Sequence, residues 1–496
     1  MNFALAMERF DPRVHQPHPP GYFLYVTLGR VLNWAVHDAN LALVILSIAA
    51  SCGTILVIYR LAIEWFGLSE SRFASILFLC SPIGWFHGIV ALTYSVEAFF
   101  SALVGYLCWR VNCGNQAWVV SAGIILGISA GIRPSSLLFL GPIYLYSLRN
   151  AGPKRRLAGI AALVVTLTAW GLPMISASGG FAVYFGALAS LWRMVPSKNT
   201  VFNSSPATSI ARACTIVFIY LLSFGAASLA ALAVLKRRAP ADAEKKHFTI
   251  VWVAPALCFF TFIFLQFVNS GYLLLLTAPA CIWLGFWASQ LYRDCRWAMP
   301  FKLAVIAACV TINILIFLES PFYFSYRSVR QFEAQLEDIR KILPQLGAAD
   351  ETLIVSFDSH FLGYRHAGYY LPDYLNIEYP EVNLGEGARV FAMRHRDTRL
   401  FAEVPATPYS RFVFFPLPGG DPTYDKYLAS VKRRLPDSRL RTIRAGGHDY
   451  VTGPTALLPL LFPGSVKVQE QGVYPSLHSW TSDVNRREHP SGEGTP

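Results

Sequence analysis

The sequence predicts a mainly α-helical protein, with a polytopic helical membrane domain of about ten spans and a small C-terminal α/β domain. Hydrophobic residues make up 54% of the 496 residues and charged residues only 15%, whereas soluble domains are roughly a quarter charged. Apolar segments of about 20 residues, the length that crosses a bilayer, recur as far as residue 319. Both observations favour a membrane protein over a soluble one.

Windows of that length give the candidate spans. They lie near residues 41–61, 73–88, 92–109, 117–132, 135–148, 157–177, 209–235, 249–268, 272–291 and 303–319. Arg133 and Pro134 separate the fourth span from the fifth, and a proline disfavours helical geometry in the residue before it. These two spans are therefore either two helices joined by a tight turn or one kinked helix. Residues 21–36 are apolar but short, and predict an interfacial or re-entrant helix.

Charge is divided unevenly along the chain, and this division predicts the orientation. Residues 1–319 contain 22 Lys and Arg but only 10 Asp and Glu, so they carry the whole net charge of +12. Loops rich in Lys and Arg face the cytoplasm, and the loops at 149–156 and 236–246 are strongly basic. Alternation from these loops places the C-terminal domain outside the cytoplasm, on a protein integral to the inner membrane. No compact basic face indicates nucleic-acid binding.

The domain boundaries follow from the same patterns. We expect a membrane domain at 1–320, an extracytoplasmic α/β domain at 321–480 and a disordered tail at 481–496. Residues 181–194, in the loop at 178–208, predict a surface helix. The elements predicted in the C-terminal domain are helices at Ser328–Leu343 and Tyr424–Leu435, and strands at Thr352–Phe357, Arg389–Met393, Arg411–Phe415, Leu440–Ile443 and Asp449–Val451.

A first candidate site is the loop at residues 11–22, DPRVHQPHPPGY, ahead of the short apolar segment. It combines Asp11 with Arg13, His15 and His18, and its prolines fix the backbone. Arg and His side chains suit a phosphate group. The alternative is a proline-stiffened lead into an interfacial helix.

A second candidate is Glu97, the acidic residue inside a predicted span. An intramembrane carboxylate is costly and indicates either a function or a structural partner. Under the predicted orientation, several polar residues lie near the outer ends of the spans, namely His87, Glu97, Arg133, Gln266, Asn269 and Tyr272. Such residues either line one wet cavity that fits an anionic lipid head group or reflect the general tolerance of interfaces for polar groups.

Four segments resemble membrane glycosyltransferases of the C-type fold, in particular bacterial relatives of protein O-mannosyltransferases and aminoarabinose transferases. The likeness covers about residues 1–320. The segments are HQPHPPGY at 15–22 with the following Leu24-Tyr25 and Gly29-Arg30, ALTYSVEAFF at 91–100, GISAGIRP at 127–134, and SGYLL at 270–274. The loop motif is moderately specific, and the order of the four segments makes the combination persuasive.

The resemblance implies an enzyme that moves a hexose or pentose from a polyprenyl-phosphate donor to a lipid, glycan or protein acceptor outside the cytoplasm, with inversion. It implies that His15, His18 and Arg133 contact the donor phosphate. Glu97 and Tyr272 are then acceptor-binding or structural residues. Members of the family sometimes use a divalent metal, but no spacing of His, Asp or Glu here demands one.

The sequence departs from the family pattern at its start, since the first membrane helix is absent and residues 2–10 resemble the loop that follows the family's catalytic carboxylate. One expectation is that the family base lies upstream of Met1 and that the chain is an inactive, N-terminally truncated form. The other is that Asp11 is the base.

Two other functions remain open at this point. A transporter or flippase would show internal repeats and polar residues at mid-membrane depth, and neither is seen. A non-catalytic envelope-assembly protein on the same fold would suit a missing base.

Overall fold

A computed structural model describes residues 1–194, 200–225, 242–265, 269–321, 324–357, 363–379, 390–404, 408–415, 440–445, 448–462 and 467–468. The chain divides into two compact units, one formed by residues 2–331 and the other by Met1 with residues 332–496. The predicted helix at Tyr424–Leu435 and the predicted tail at 481–496 lie outside the described residues.

The first unit is helical. Its first eleven helices are α1 (Asn2–Glu8), α2 (Phe23–Val36), α3 (Ala39–Phe66), α4 (Leu68–Leu79), α5 (Pro82–Gly88), α6 (Tyr94–Asn112), α7 (Trp118–Ile132), α8 (Ser135–Leu148), α9 (Pro153–Ala177), α10 (Phe181–Met194) and α11 (Pro206–Phe224). Then follow α12 (Ala243–Phe262), a 3-10 segment at Ser270–Leu276, α13 (Thr277–Asp294) and α14 (Met299–Glu319). The next helix, α15 (Tyr326–Leu346), begins in the first unit, and its larger part, from Phe332, belongs to the second.

Several of these helices suit a bilayer. Among the described residues, five helical segments are long and apolar enough to cross a membrane, namely Ala39–Phe66, Pro153–Ala177, Pro206–Phe224, Ser270–Asp294 and Met299–Glu319. Shorter apolar helices occur at Phe23–Val36, Trp118–Ile132 and Ser135–Leu148. The protein is therefore a multi-pass membrane protein, and the predicted mainly helical fold class is confirmed. The 14-residue α2 is short for a span.

The Arg133-Pro134 step is a turn between two helices. Arg133 is extended, with φ −150° and ψ 108°, as the following proline favours. Gly123 of α7 lies beside the Tyr144 hydroxyl of α8, so that a Cβ at residue 123 would stand 2.9 Å from that oxygen. Since these two residues lie at similar distances before and after the turn, α7 and α8 run back along each other. The alternative of one kinked helix is excluded.

Residues 2–8, which resemble part of the family's first outer loop, form a short helix, α1. One other prediction needs correction. The predicted span at 73–88 is divided between α4 and α5, because the Ser81 hydroxyl accepts a hydrogen bond from the backbone of Gly84 and Pro82 begins a new helix. α10, at Phe181–Met194, has the predicted bounds.

The described residues of the second unit form a mixed sheet from seven strands, namely β1 (Thr352–Phe357), β2 (Leu375–Tyr379), β3 (Val390–Arg394), β4 (Asp397–Phe401), β6 (Arg411–Phe414), β7 (Arg441–Ala445) and β8 (His448–Pro454), while β5 (Glu403–Val404) pairs with β9 (Lys467–Val468). The strand order in the sheet is β4-β3-β2-β1-β6-β8-β7. β1 is parallel to both of its neighbours, β2 and β6, and the other pairs in the sheet are antiparallel. Apolar side chains cover it, among them Val355, Ile377 and Phe412.

Candidate active site

A buried ion pair joins α6 to the turn between α7 and α8. Arg133 Nη1 lies 3.2 Å from Glu97 Oε2, and the two side chains are 8% and 3% exposed. The Ser136 hydroxyl donates to Glu97 Oε1 at 3.1 Å. Glu97 lies in the first turn of α6, where the helix dipole favours a negative charge. The Arg133-Pro134 turn thus places the Arg133 guanidinium beside the buried Glu97 carboxylate.

Two tyrosine rings surround the arginine. The Arg133 guanidinium carbon lies 4.7 Å from the centre of the Tyr94 ring and 4.8 Å from that of Tyr272. The rings are 5.4 Å apart and inclined at 65°, so the guanidinium occupies the notch between them. Such cation–π contacts stabilise a desolvated arginine.

The 3-10 segment holds this notch in shape. Asn269 Nδ2 donates to the Tyr94 hydroxyl at 2.6 Å, and Asn269 Oδ1 accepts from the backbone of Gly271 at 3.1 Å. A Cβ at Gly271 would overlap the Tyr94 ring, so glycine allows the segment to approach α6 closely. His87 Nε2 lies 3.1 Å from the Ser270 hydroxyl.

Asp11 organises the loop before α2. Its carboxylate receives the Arg13 side chain at 2.8 and 2.7 Å and Arg9 Nη2 at 3.2 Å. It also accepts from the backbone N–H of Arg13 at 3.1 Å, which caps the 3-10 turn at Pro12–Val14. The hydrogen bond and charge of Asp11 raise the pKa of Arg13 above its ordinary value. These contacts make Asp11 a structural centre of the loop.

His18 and Tyr22 connect this loop to the ion pair. His18 Nε2 lies 3.1 Å from the Tyr22 hydroxyl, and Phe3 of α1 packs on both rings. Burial raises the pKa of Tyr22 to about 12, Arg133 acts in the opposite direction, and Tyr272 and Glu97 raise it further. Tyr22 also packs in a hydrophobic cluster with Val96 and Ile132, which directly precede Glu97 and Arg133 in the sequence. The loop and the ion pair therefore lie close together, and we treat them as one candidate site.

The structure thus brings together most of the residues predicted for the site, namely His18, His87, Glu97, Arg133, Asn269 and Tyr272. Gln266 lies outside the described residues. His15 caps the 3-10 turn through its backbone, with φ 59°. Sequence reasoning missed Tyr94, Ser136 and Tyr22 as site residues, although Tyr94 and Tyr22 stand within the quoted motifs. Tyr22 has φ 49°, a strained value for a bulky residue.

Among the described residues, no group of three His, Cys, Asp or Glu side chains could hold a metal ion. The Asp11 carboxylate is engaged by two arginines and Glu97 by Arg133 and Ser136.

The fold is that of the C-type membrane glycosyltransferases. The chain is similar to ArnT from Cupriavidus metallidurans in the apo state, with a TM-score of 0.50, 14% sequence identity and coverage of 93% of each chain. It is also similar to the same ArnT bound to undecaprenyl phosphate, with a TM-score of 0.50, 13% identity and coverage of 87% of each chain. The resemblance inferred from the sequence motifs is confirmed.

A sequence comparison agrees with the structural one. Residues 13–155 match the family described as the N-terminal domain of the protein O-mannosyl-transferase TMEM260. The match contains His18, Tyr94, Glu97 and Arg133. No curated protein matches the chain in sequence.

Proposed function

We propose that the protein is a membrane glycosyltransferase that moves a sugar from a polyprenyl-phosphate donor to an extracytoplasmic acceptor. The observation that carries the proposal is the buried Arg133, held against Glu97 in the notch of Tyr94 and Tyr272 and linked through Tyr22 to His18. A guanidinium in a desolvated site binds phosphate strongly and in a defined direction. The similarity of the fold to an enzyme solved with undecaprenyl phosphate supports this ligand class.

The transfer itself can be written in balanced form. The acceptor oxygen forms a bond to the anomeric carbon, the bond from that carbon to the phosphate oxygen breaks, and the carrier leaves as polyprenyl phosphate. The proton of the acceptor passes to a general base, which is worth about 10²–10⁴-fold in rate. Arg133 stabilises the charge that develops on the leaving phosphate.

Asp11 is the candidate for the base in the sequence, but its contacts favour a structural role. Both carboxylate oxygens accept hydrogen bonds from arginine, and one also caps a turn. A carboxylate held by these contacts is placed to shape the loop rather than to receive a proton from the acceptor. We therefore assign Asp11 to the loop that positions His18, beside the donor phosphate.

Binding of undecaprenyl phosphate to the purified full chain in nanodiscs tests the proposal. We expect Arg133→Ala to weaken binding about 30-fold or more, since it removes the cation of a buried charge pair. Arg133→Lys retains the charge but not the planar fork, and should bind at an intermediate level. The matched control is Arg110→Ala, in the half-exposed Arg110–Glu64 pair. Equal binding by Arg133→Ala and wild-type protein would refute the proposal.

We further propose that the site faces the extracytoplasmic side of the inner membrane, because the loops on the opposite side carry most basic residues. Single cysteines at Lys154 and Ser205, two exposed positions, test this in a chain whose native cysteines are replaced. A membrane-impermeant maleimide applied to intact cells should label Ser205→Cys and not Lys154→Cys. The reverse pattern would overturn the orientation.

A further inference from the structure

The contact between Glu97 and Arg133 is longer than the contact between Asp11 and Arg13. Its closest approach is 3.2 Å, the same as that between Arg9 and Asp11, whereas Arg13 lies 2.7 and 2.8 Å from Asp11. Charge-assisted N–H···O bonds are usually 2.7–2.9 Å long. Arg133 is nevertheless among the most enclosed cations of the described residues, since its side chain is only 8% exposed. The pair is buried but not tightly joined.

Each member of the pair has a second support. The Tyr94 and Tyr272 rings hold the guanidinium, and the Ser136 hydroxyl holds the other carboxylate oxygen. Either group can therefore stay near its present position if the contact between them opens. Breaking the contact would otherwise leave two unsupported charges in a buried site, which is strongly unfavourable.

A donor phosphate at Arg133 would place a second anion beside Glu97. Two like charges close together in a desolvated site repel each other strongly. The single cation Arg133 would then be shared, and the two non-bridging oxygens of the donor phosphate suit the guanidinium as the two oxygens of a carboxylate do. The phosphate and the Glu97 carboxylate thus compete for the same guanidinium.

We propose that Glu97 is a displaceable counter-ion for Arg133, which the donor phosphate replaces and which pairs with Arg133 again to expel the polyprenyl-phosphate product. This inference rests on the proposed function and adds to it a role in product release. The product is a phosphate monoester with more negative charge than the donor diester, so without a competitor it would leave slowly. Ser136 is a positioning residue that keeps the carboxylate at hand.

The test compares the affinity of undecaprenyl phosphate for full-length variants in nanodiscs. Glu97→Gln keeps the shape and removes the competing charge, so we expect binding about tenfold tighter than wild type. Ser136→Ala removes the second support of Glu97, which leaves the carboxylate more dependent on Arg133, so we expect binding about two- to threefold weaker. The control Glu64→Gln, in the distant Arg110 pair, should bind like wild type.

The affinities of Glu97→Gln and Ser136→Ala are expected to change in opposite directions, and this distinguishes competition for Arg133 from simple positioning of Arg133. If Glu97 only orients Arg133, Glu97→Gln and Ser136→Ala both weaken binding, which overturns the inference while Arg133→Ala still supports the proposed function. If Arg133→Ala binds normally, the proposed function fails first. A melting curve of each variant, recorded in the same nanodiscs, shows that it is folded. An unfolded Glu97→Gln is replaced by Glu97→Met, for which tighter binding is again expected and weaker binding again overturns the inference.

Discussion

The two ends of α6 carry ion pairs of similar chemistry in different surroundings. At its start, Glu97 pairs with Arg133 in a site where both side chains are less than a tenth exposed. At its end, Arg110 pairs with Glu64 at 2.8 Å, with side chains 34% and 25% exposed. The contact in the second pair is shorter, and Glu64 also accepts a hydrogen bond from the Tyr106 hydroxyl, yet water reaches this pair.

The difference in burial indicates which of the two ion pairs is the better candidate for a binding site. A half-exposed pair contributes little, because water screens it. A buried pair is seldom a net gain in stability, because desolvation of two charges offsets their attraction. We therefore propose a role in binding for the buried pair, which lies beside aromatic rings and the His18 loop. The Arg110 pair serves as the structural reference on the same helix.

The largest expected effect is on stability. Arg133→Met leaves the Glu97 carboxylate buried without its cation, and should lower the free energy of unfolding by about 3–5 kcal/mol. Arg110→Met should cost less than about 1 kcal/mol. Unfolding in detergent, followed by circular dichroism against denaturant, measures both. Similar losses in the two variants would remove the contrast between the two ends of α6.

The close approach of Gly271 to α6 provides the next test. Gly271→Ala would push its Cβ into the Tyr94 ring and should cost about 1–3 kcal/mol of stability, with weaker binding of undecaprenyl phosphate. Gly141→Ala in α8 is the control, since open space surrounds that position. Its stability should stay equal or rise by about 0.5–1 kcal/mol. A tolerated Gly271→Ala with unchanged binding would show that the notch does not shape the site.

A smaller effect is expected at Asp11. Asp11→Asn keeps the cap on the Arg13 backbone but loses the charge between Arg9 and Arg13. We expect a loss of about 0.5–1.5 kcal/mol in stability and about two- to fivefold weaker binding of undecaprenyl phosphate. Titration of the variant in nanodiscs measures the affinity. A general base would behave differently, with unchanged binding and a loss of sugar transfer alone.

The smallest effect concerns the link between the loop and the ion pair. Tyr22→Phe removes the hydroxyl that meets His18. One hydrogen bond contributes about 0.5–1.5 kcal/mol, and since this hydroxyl acts on the phosphate site through His18 we expect the lower end of that range, so binding should weaken about twofold. Tyr106→Phe removes a comparable hydroxyl at the other end of α6 and should have no effect on binding. Equal affinities of the two variants would show that the His18–Tyr22 contact does not contribute to phosphate binding.

The sequence predicts the helical frame well, because apolar length and proline positions are local properties. Arg133-Pro134 indicated a break, and the extended Arg133 accounts for it. Strand β2 was missed because LNIEY is short and follows Pro372 and Asp373, residues typical of loops. β4, at Asp397–Phe401, was missed because three of its five residues are polar or charged.

The sequence indicated which residues belong to the candidate site but not which of them contact each other. Span ends placed Glu97, Arg133 and Tyr272 at a common depth, yet their contact depends on the rotation of α6 and the packing of the 3-10 segment. Tyr22 was hidden for a similar reason. Its strained backbone conformation and its burial between the loop and α6 arise from tertiary packing, which no local pattern reports.

Photo-crosslinking tests the central claim most directly. A polyprenyl phosphate with a photoreactive group next to the phosphate, bound to the full chain in nanodiscs, can be mapped by mass spectrometry of the crosslinked peptides. We expect crosslinks within residues 15–22, 94–97 and 133–136, and their loss in Arg133→Ala. Crosslinks concentrated around Glu64 and Arg110 instead would contradict it.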